Sequence, residues 1–377
     1  MIVPIGARAV AAVAGGGLVL IAAKSLIGTV VVPRRVRSWL TRAVDRAVDD
    51  VFHVLVHPID DAKARDRLYS AQAATILLGQ LATWLTVFFV GFALLDWPFA
   101  APGIGAAFAQ AGSSLFTLGY AAPHGVGSAA VDDVAALTGL VTIALQIGYL
   151  PTLYGAFNRR ETEVTLLYSR AGLPAWGPEL LLRTRYGFQT ESTSTQTLPE
   201  LYVTWERWAA DVAESHTTYL PLARFRSPIA YASWVTALLA VLDSAAMYLA
   251  LCPTSAPVVP ARMCLRMGFT CFQQIALALG AEVEIDPDPG QGISLTYEEF
   301  RDAVGRLASV NFPLEREPEE AWPHFVGWRV NYEQAAYAVA AAVAAPPAMW
   351  SGPRRHPVDA IAPVRPPNRQ PSSTVPS

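Results

Sequence analysis

Two stretches of this chain, residues 72–95 and 134–157, each run for 24 residues without a charged side chain. A helix needs about 20 apolar residues to cross the hydrocarbon core of a bilayer. In lipid every backbone N–H and C=O must be bonded internally, so such stretches are read as transmembrane helices. Residues 10–32 form a third candidate, interrupted by Gly15, Gly16, Gly17 and Lys24. Lys24 can snorkel toward the nearer headgroups. A cleaved signal peptide is the rival reading of this segment, but its apolar part is long for one and no small-residue cleavage site precedes the basic block. Only 16% of residues are charged, against about 25% in soluble domains, which agrees with a chain partly dissolved in lipid.

The cations orient the three spans. Arg34, Arg35, Arg37, Arg42, Arg46, Lys63, Arg65 and Arg67 lie between the first and second spans, and Arg159 and Arg160 follow the third. Residues 96–133 contain no Lys or Arg. The positive-inside rule therefore predicts a multi-pass protein of the plasma (inner) membrane. Its amino terminus and 96–133 loop lie outside, and residues 33–70 and everything beyond 158 lie in the cytoplasm. Residues 33–71 form an amphipathic linker in which Trp39, Leu40, Val44, Val48, Val51, Phe52, Leu55 and Val56 make an apolar stripe. This helix is expected along the inner membrane surface or against the cytoplasmic domain. His53 and His57 have the spacing of a metal pair but lack a third ligand, and a plain surface reading is preferred.

The outer loop is not polar. Residues 99–126 are mostly Ala, Gly and apolar side chains, with Pro98 and Pro102 as breakers. Residues 105–115 suit about three helical turns, too short to span. They are followed by Thr117-Leu118-Gly119-Tyr120-Ala121. Irregular backbone at membrane depth is tolerated only where protein buries it or water fills the cavity it lines. A short helix that enters the bilayer and returns through this segment meets the condition around a shared axis. Gly119 permits a left-handed backbone that turns carbonyls toward the axis. Tyr120 is expected to pack outward with its hydroxyl bonded to the short helix.

In these residues the chain resembles the pore of two-span potassium channels. The unit of outer helix, pore helix, filter and inner helix covers residues 72–157. Ser113 and Ser114 stand at the end of the pore helix, and Thr117, Leu118, Gly119, Tyr120 and Ala121 stand in the filter's register. The family's filter reads Thr-Val-Gly-Tyr-Gly-Asp. Here Leu118 replaces Val, Ala121 the second Gly and Ala122 the acid, which removes an outer-mouth charge and places an alanine where the filter would use positive φ. The resemblance implies a gating hinge at Gly139, with Gly148 and Pro151 nearer the cytoplasmic end. Gln146 is the one strongly polar side chain of that span.

Beyond residue 158 the pattern is helical throughout, over 162–171, 178–186, 198–218, 228–251, 259–279, 297–309 and 318–344, giving an all-α cytoplasmic domain at 158–345. Residues 229–252 are as apolar as a span, but Asp243 sits in the middle and a fourth crossing breaks the charge rule, so a buried central helix is expected. Residues 158–164 and 327–332 resemble bacterial membrane proteins classed with potassium channels. Cys252, Cys264 and Cys271 form no CxxC pair and are expected to pack as small apolar groups. Residues 286–297 begin like a calcium loop but have Tyr297 where the final acid belongs. Glu214 and His216 read as a solvated helix face. No nucleotide-binding or nucleophile motif is present, and the Pro- and Ser-rich stretch 346–377 reads as disordered.

The expected architecture is thus an all-α membrane protein. It has a first span at 1–32, the linker at 33–71, the pore module at 72–157 and the helical domain. The expected function is a homotetrameric channel for a monovalent cation, potassium by resemblance. Its partners are membrane lipid and further copies of itself, without cofactor, catalysis or nucleic acid. A non-conducting, membrane-anchored helical module that binds a cytoplasmic partner is the alternative.

Overall fold

The computed structural model describes residues 5–32, 38–100, 103–185, 197–288, 290–355 and 358–365. Arg34, Arg35, Arg37, Pro102, Tyr186 and residues 366–377 lie outside the described residues. Among the described residues the secondary structure is helical apart from isolated bridges. Four helices are long and apolar enough to cross a membrane, as a multi-pass membrane protein requires. The chain divides into two compact units, Met1–Pro58 with Ala71–Gly155, and Ile59–Ser70 with Ala156–Ser377.

In the first unit, α1 (Ile5–Val30) packs along α4 (Gln72–Asp96). Small residues make this approach close: a Cβ on Gly15 would lie 2.5 Å from the Gly91 carbonyl oxygen. In lipid, where apolar burial gives no driving force between helices, such contact and interhelical hydrogen bonds hold helices together. The Trp84 indole donates to Ser25 Oγ at 2.9 Å. Amphipathic α2 (Trp39–Val56) buries Leu40, Thr41, Phe52 and Val56. Its Asp45 and Asp49 accept from Gln80 and Gln72 of α4, each at 2.8 Å. The predicted stripe is thus divided, with Leu40, Phe52 and Val56 inside and Trp39, Val51 and Leu55 exposed. Short α5 (Ile104–Leu115) packs on α4, and the 46-residue α6 (Val126–Ala171) runs through Pro151 without a break.

The second unit is built around α9 (Trp234–Leu251), every residue of which is buried. A spanning helix at a lipid boundary would leave a face uncovered; this one is enclosed by protein. Asp243 is tolerated because Arg329 of α12 (Pro318–Arg329) pairs with it and Tyr332 donates to it at 2.8 Å. Arg329 also reaches Glu333 at 2.9 Å and the Trp350 carbonyl at 2.7 Å. This unit also holds α7 (Gly177–Arg183), α8 (Thr197–Thr218), α10 (Val258–Leu279), α11 (Tyr297–Ser309) and α13 (Glu333–Ala342). Cys264 and Cys271 are buried on α10, and burial pushes both thiols up.

Four expectations change. The linker is two helices, not one: Pro58 follows α2, and α3 (Ala62–Tyr69) belongs to the second unit. There Arg226 pairs with Asp66 at 3.1 Å and lies over the Tyr69 ring. The predicted helix 318–344 breaks between α12 and α13 so that Arg329 and Glu333 meet over Asp243. His216 is not on a solvated face but fully buried, 2.9 Å from Arg160 Nη1 and 3.0 Å from Ser215 Oγ. The stretch 346–365, read as part of a disordered tail, is packed where described. Trp350 is buried against Trp176 and Phe325, Val364 exchanges backbone hydrogen bonds with Leu173, and Arg365 pairs with Glu179. Proline-rich composition leaves no periodic pattern to read, but aromatic burial and backbone pairing order the segment without a helix.

Candidate functional site

The chain leaves α5 through a compact turn that uses one serine twice. The Ser113 carbonyl accepts from the N–H groups of Leu118 at 2.8 Å and Gly119 at 3.2 Å. Its buried hydroxyl oxygen accepts from Ala121 N–H at 3.0 Å. The Ser114 carbonyl accepts from Thr117 N–H at 3.0 Å. Ser113 and Ser114, predicted at the end of the pore helix, therefore meet Thr117, Leu118, Gly119 and Ala121 at one place.

These bonds aim the carbonyls. In a planar trans peptide the N–H of one residue and the C=O of its predecessor point in opposite directions. With the N–H groups of Leu118, Gly119 and Ala121 turned toward Ser113, the carbonyls of Thr117, Leu118 and Tyr120 turn away from it. The backbone alternates to achieve this: Thr117 has φ 54° and Gly119 φ 69°, with Leu118 between them outside the left-handed region. Positive φ is free for glycine. For a β-branched threonine it is an outlier that costs about 1–3 kcal/mol and persists only where surroundings impose it. Ala121 does not adopt positive φ, so replacing the second glycine leaves no strain at that position.

Within one protomer this surface is open. Leu118 is 64% and Tyr120 63% exposed. The Tyr120 hydroxyl lies over α5 at Gly112, 3.3 Å from where a Cβ would stand, but no hydrogen bond to α5 joins it among the described residues. Along α6, Val134, Leu137, Leu140, Ile147 and Tyr154 are exposed as well.

Gly139 has a different setting from a free hinge. A Cβ there would stand 1.9 Å from the Leu115 carbonyl oxygen, so the glycine lets α6 press against the end of α5. Gly148 has no neighbour within 4 Å, and Pro151 removes one backbone donor from the same helix. Gln146 is buried. Gln110 of α5 donates to Asp132 of α6, a second tie that sequence spacing did not single out.

Among the described residues no three His, Cys, Asp or Glu side chains converge on a possible metal position. In the loop rejected as a calcium site, the Asp288 carboxylate accepts from Gly290 N–H at 2.9 Å; Pro289 lies outside the described residues. No family model, curated protein or solved structure matches the chain.

Proposed function

We propose that the chain is one subunit of a homotetrameric cation channel. In this reading α4, α5, the turn 117–121 and α6 form the pore module, and carbonyls of the turn substitute for ion hydration. The observation that supports it most is the doubled use of Ser113, which holds three N–H groups inward and leaves the carbonyls of Thr117, Leu118 and Tyr120 facing outward. A chain with one such turn needs three further copies to close a ring, and the exposed Leu118, Tyr120 and α6 side chains are what copies would cover. The spans cross with residues 96–133 outside and the helical unit in the cytoplasm, by the positive-inside rule. The loss of a negative charge at Ala122 argues for weaker cation preference than an acid there would give.

Ion flux into liposomes holding the purified protein tests this reading. Flux that Gly119→Asp abolishes, in a detergent-solubilised assembly with the mass of four chains, is the expected result. A monomeric mass with no flux under varied pH, voltage and tension would leave the membrane-anchored, partner-binding module as the function.

A further inference from the structure

Where α4 ends, a buried carboxyl group is left without a hydrogen bond. Asp96 is 1% exposed, and neither of its carboxyl oxygens reaches a donor. The Ser128 hydroxyl is fully buried and unbonded too, and it lies beside the Asp96 carboxyl. Asp132, one turn farther along the same face of α6, presents a second negative charge to Asp96. His124, in the loop before α6, is also within electrostatic reach. The cover is complete because the turn after α4 folds over the start of α6: a Cβ on Gly127 would lie 2.6 Å from the Phe99 ring.

The remaining charges nearby are few. α5 has none, and α4 has no other. α6 adds Asp133, and α1 carries Arg8 and Lys24. Asp45 and Asp49 of α2 bond Gln80 and Gln72; Gln80 is about 24 Å down α4 from Asp96. An ionised carboxylate removed from water without a partner is costly enough that the group takes up a proton instead, and a like charge nearby adds to that cost.

We propose that the buried Asp96 carboxyl is a proton-binding group, with Ser128 as a hydrogen-bond partner for the bound proton. The protonated group joins the end of α4 to α6 at Ser128. Losing the proton sets a negative Asp96 against the charge of Asp132, the residue to which Gln110 of α5 donates. Proton binding stands apart from the channel reading; an effect on conduction rests on it.

Infrared difference spectroscopy of the full chain in lipid, from acid to alkaline pH, tests the site. The expected result is a protonated carboxylic acid band present at neutral pH, absent in Asp96→Asn and displaced in Ser128→Ala. The native state then binds a proton that the unfolded chain releases, so thermal stability falls as pH rises through the band's titration. Asp96→Asn flattens that fall. An Asp96→Asn protein whose acid bands match the native ones at every pH overturns the proposal. So does a band that follows potassium chloride concentration rather than pH. Absence of flux in the native protein would sink the channel reading and leave the band untouched.

Discussion

A methyl group at position 139 has no room. Its carbon would stand 1.9 Å from the Leu115 carbonyl oxygen and 3.0 Å from the carbonyl carbon. Both atoms are backbone, so no side chain can swing aside. In a close-packed interior Gly139→Ala must push α6 and the end of α5 apart by about 1 Å, at about 1–3 kcal/mol for an overpacked contact. Alanine's better helix propensity returns about 0.5–1 kcal/mol, leaving a net loss of about 1 kcal/mol between the middles of the two ranges. The displaced carbonyl is two residues from Ser113, whose oxygens hold the 117–121 turn, so under the proposed channel function conduction should fall with stability. Gly148→Ala is the control on the same helix. With no neighbour within 4 Å, it should gain only the propensity term. Thermal unfolding in detergent, with flux normalised to folded protein, reads both. If Gly139→Ala unfolds at the native temperature, the close approach of α5 and α6 is refuted. If it is stable and alters only channel opening, the hinge role expected from the family resemblance replaces the packing role.

Two predictions concern the helical unit. His216 is buried beside the Arg160 guanidinium, and burial first, then that charge, hold its imidazole well below the usual histidine value of 6.5. The native state therefore binds fewer protons than the unfolded one below that value, and stability should fall by about 1.4 kcal/mol per pH unit on acidification. Denaturant unfolding from pH 7 downward should show this slope reduced by one proton in His216→Gln; an unchanged slope would show that another group titrates. Trp350→Ala removes an indole packed against Trp176 and Phe325 and should cost about 3–5 kcal/mol. A loss below about 1 kcal/mol in calorimetry would mean that the segment after residue 345 is not part of the core.

The local signals were read well where a single element decides its own fate. The apolar stretch at 72–95 became α4, and the small-residue stretch at 105–115 became α5, because periodicity and length are properties of contiguous residues. Gly119 adopts the left-handed backbone expected of it. Thr117 adopts it too, against its own preference, because bonds to Ser113 and Ser114 on the preceding helix over-determine the turn. Asp243 marked residues 229–252 as unlike a span, yet nothing near it in sequence named Arg329. His216 carries no sequence sign of burial, since its cover comes from Arg160, fifty-six residues earlier.

What the sequence by itself determined is the helical class, the long charge-free stretches, the uneven placing of cations along the chain and the hydroxyl-rich end of α5. Each depends on composition and spacing along one segment. What only the tertiary structure decided is which polar groups are sealed together: Asp96 with Ser128, Asp243 with Arg329, His216 with Arg160, and the Gly139 backbone with Leu115. Burial is a property of the neighbours that surround a group, and in a helical protein those neighbours arrive from other helices at unrelated positions in the chain.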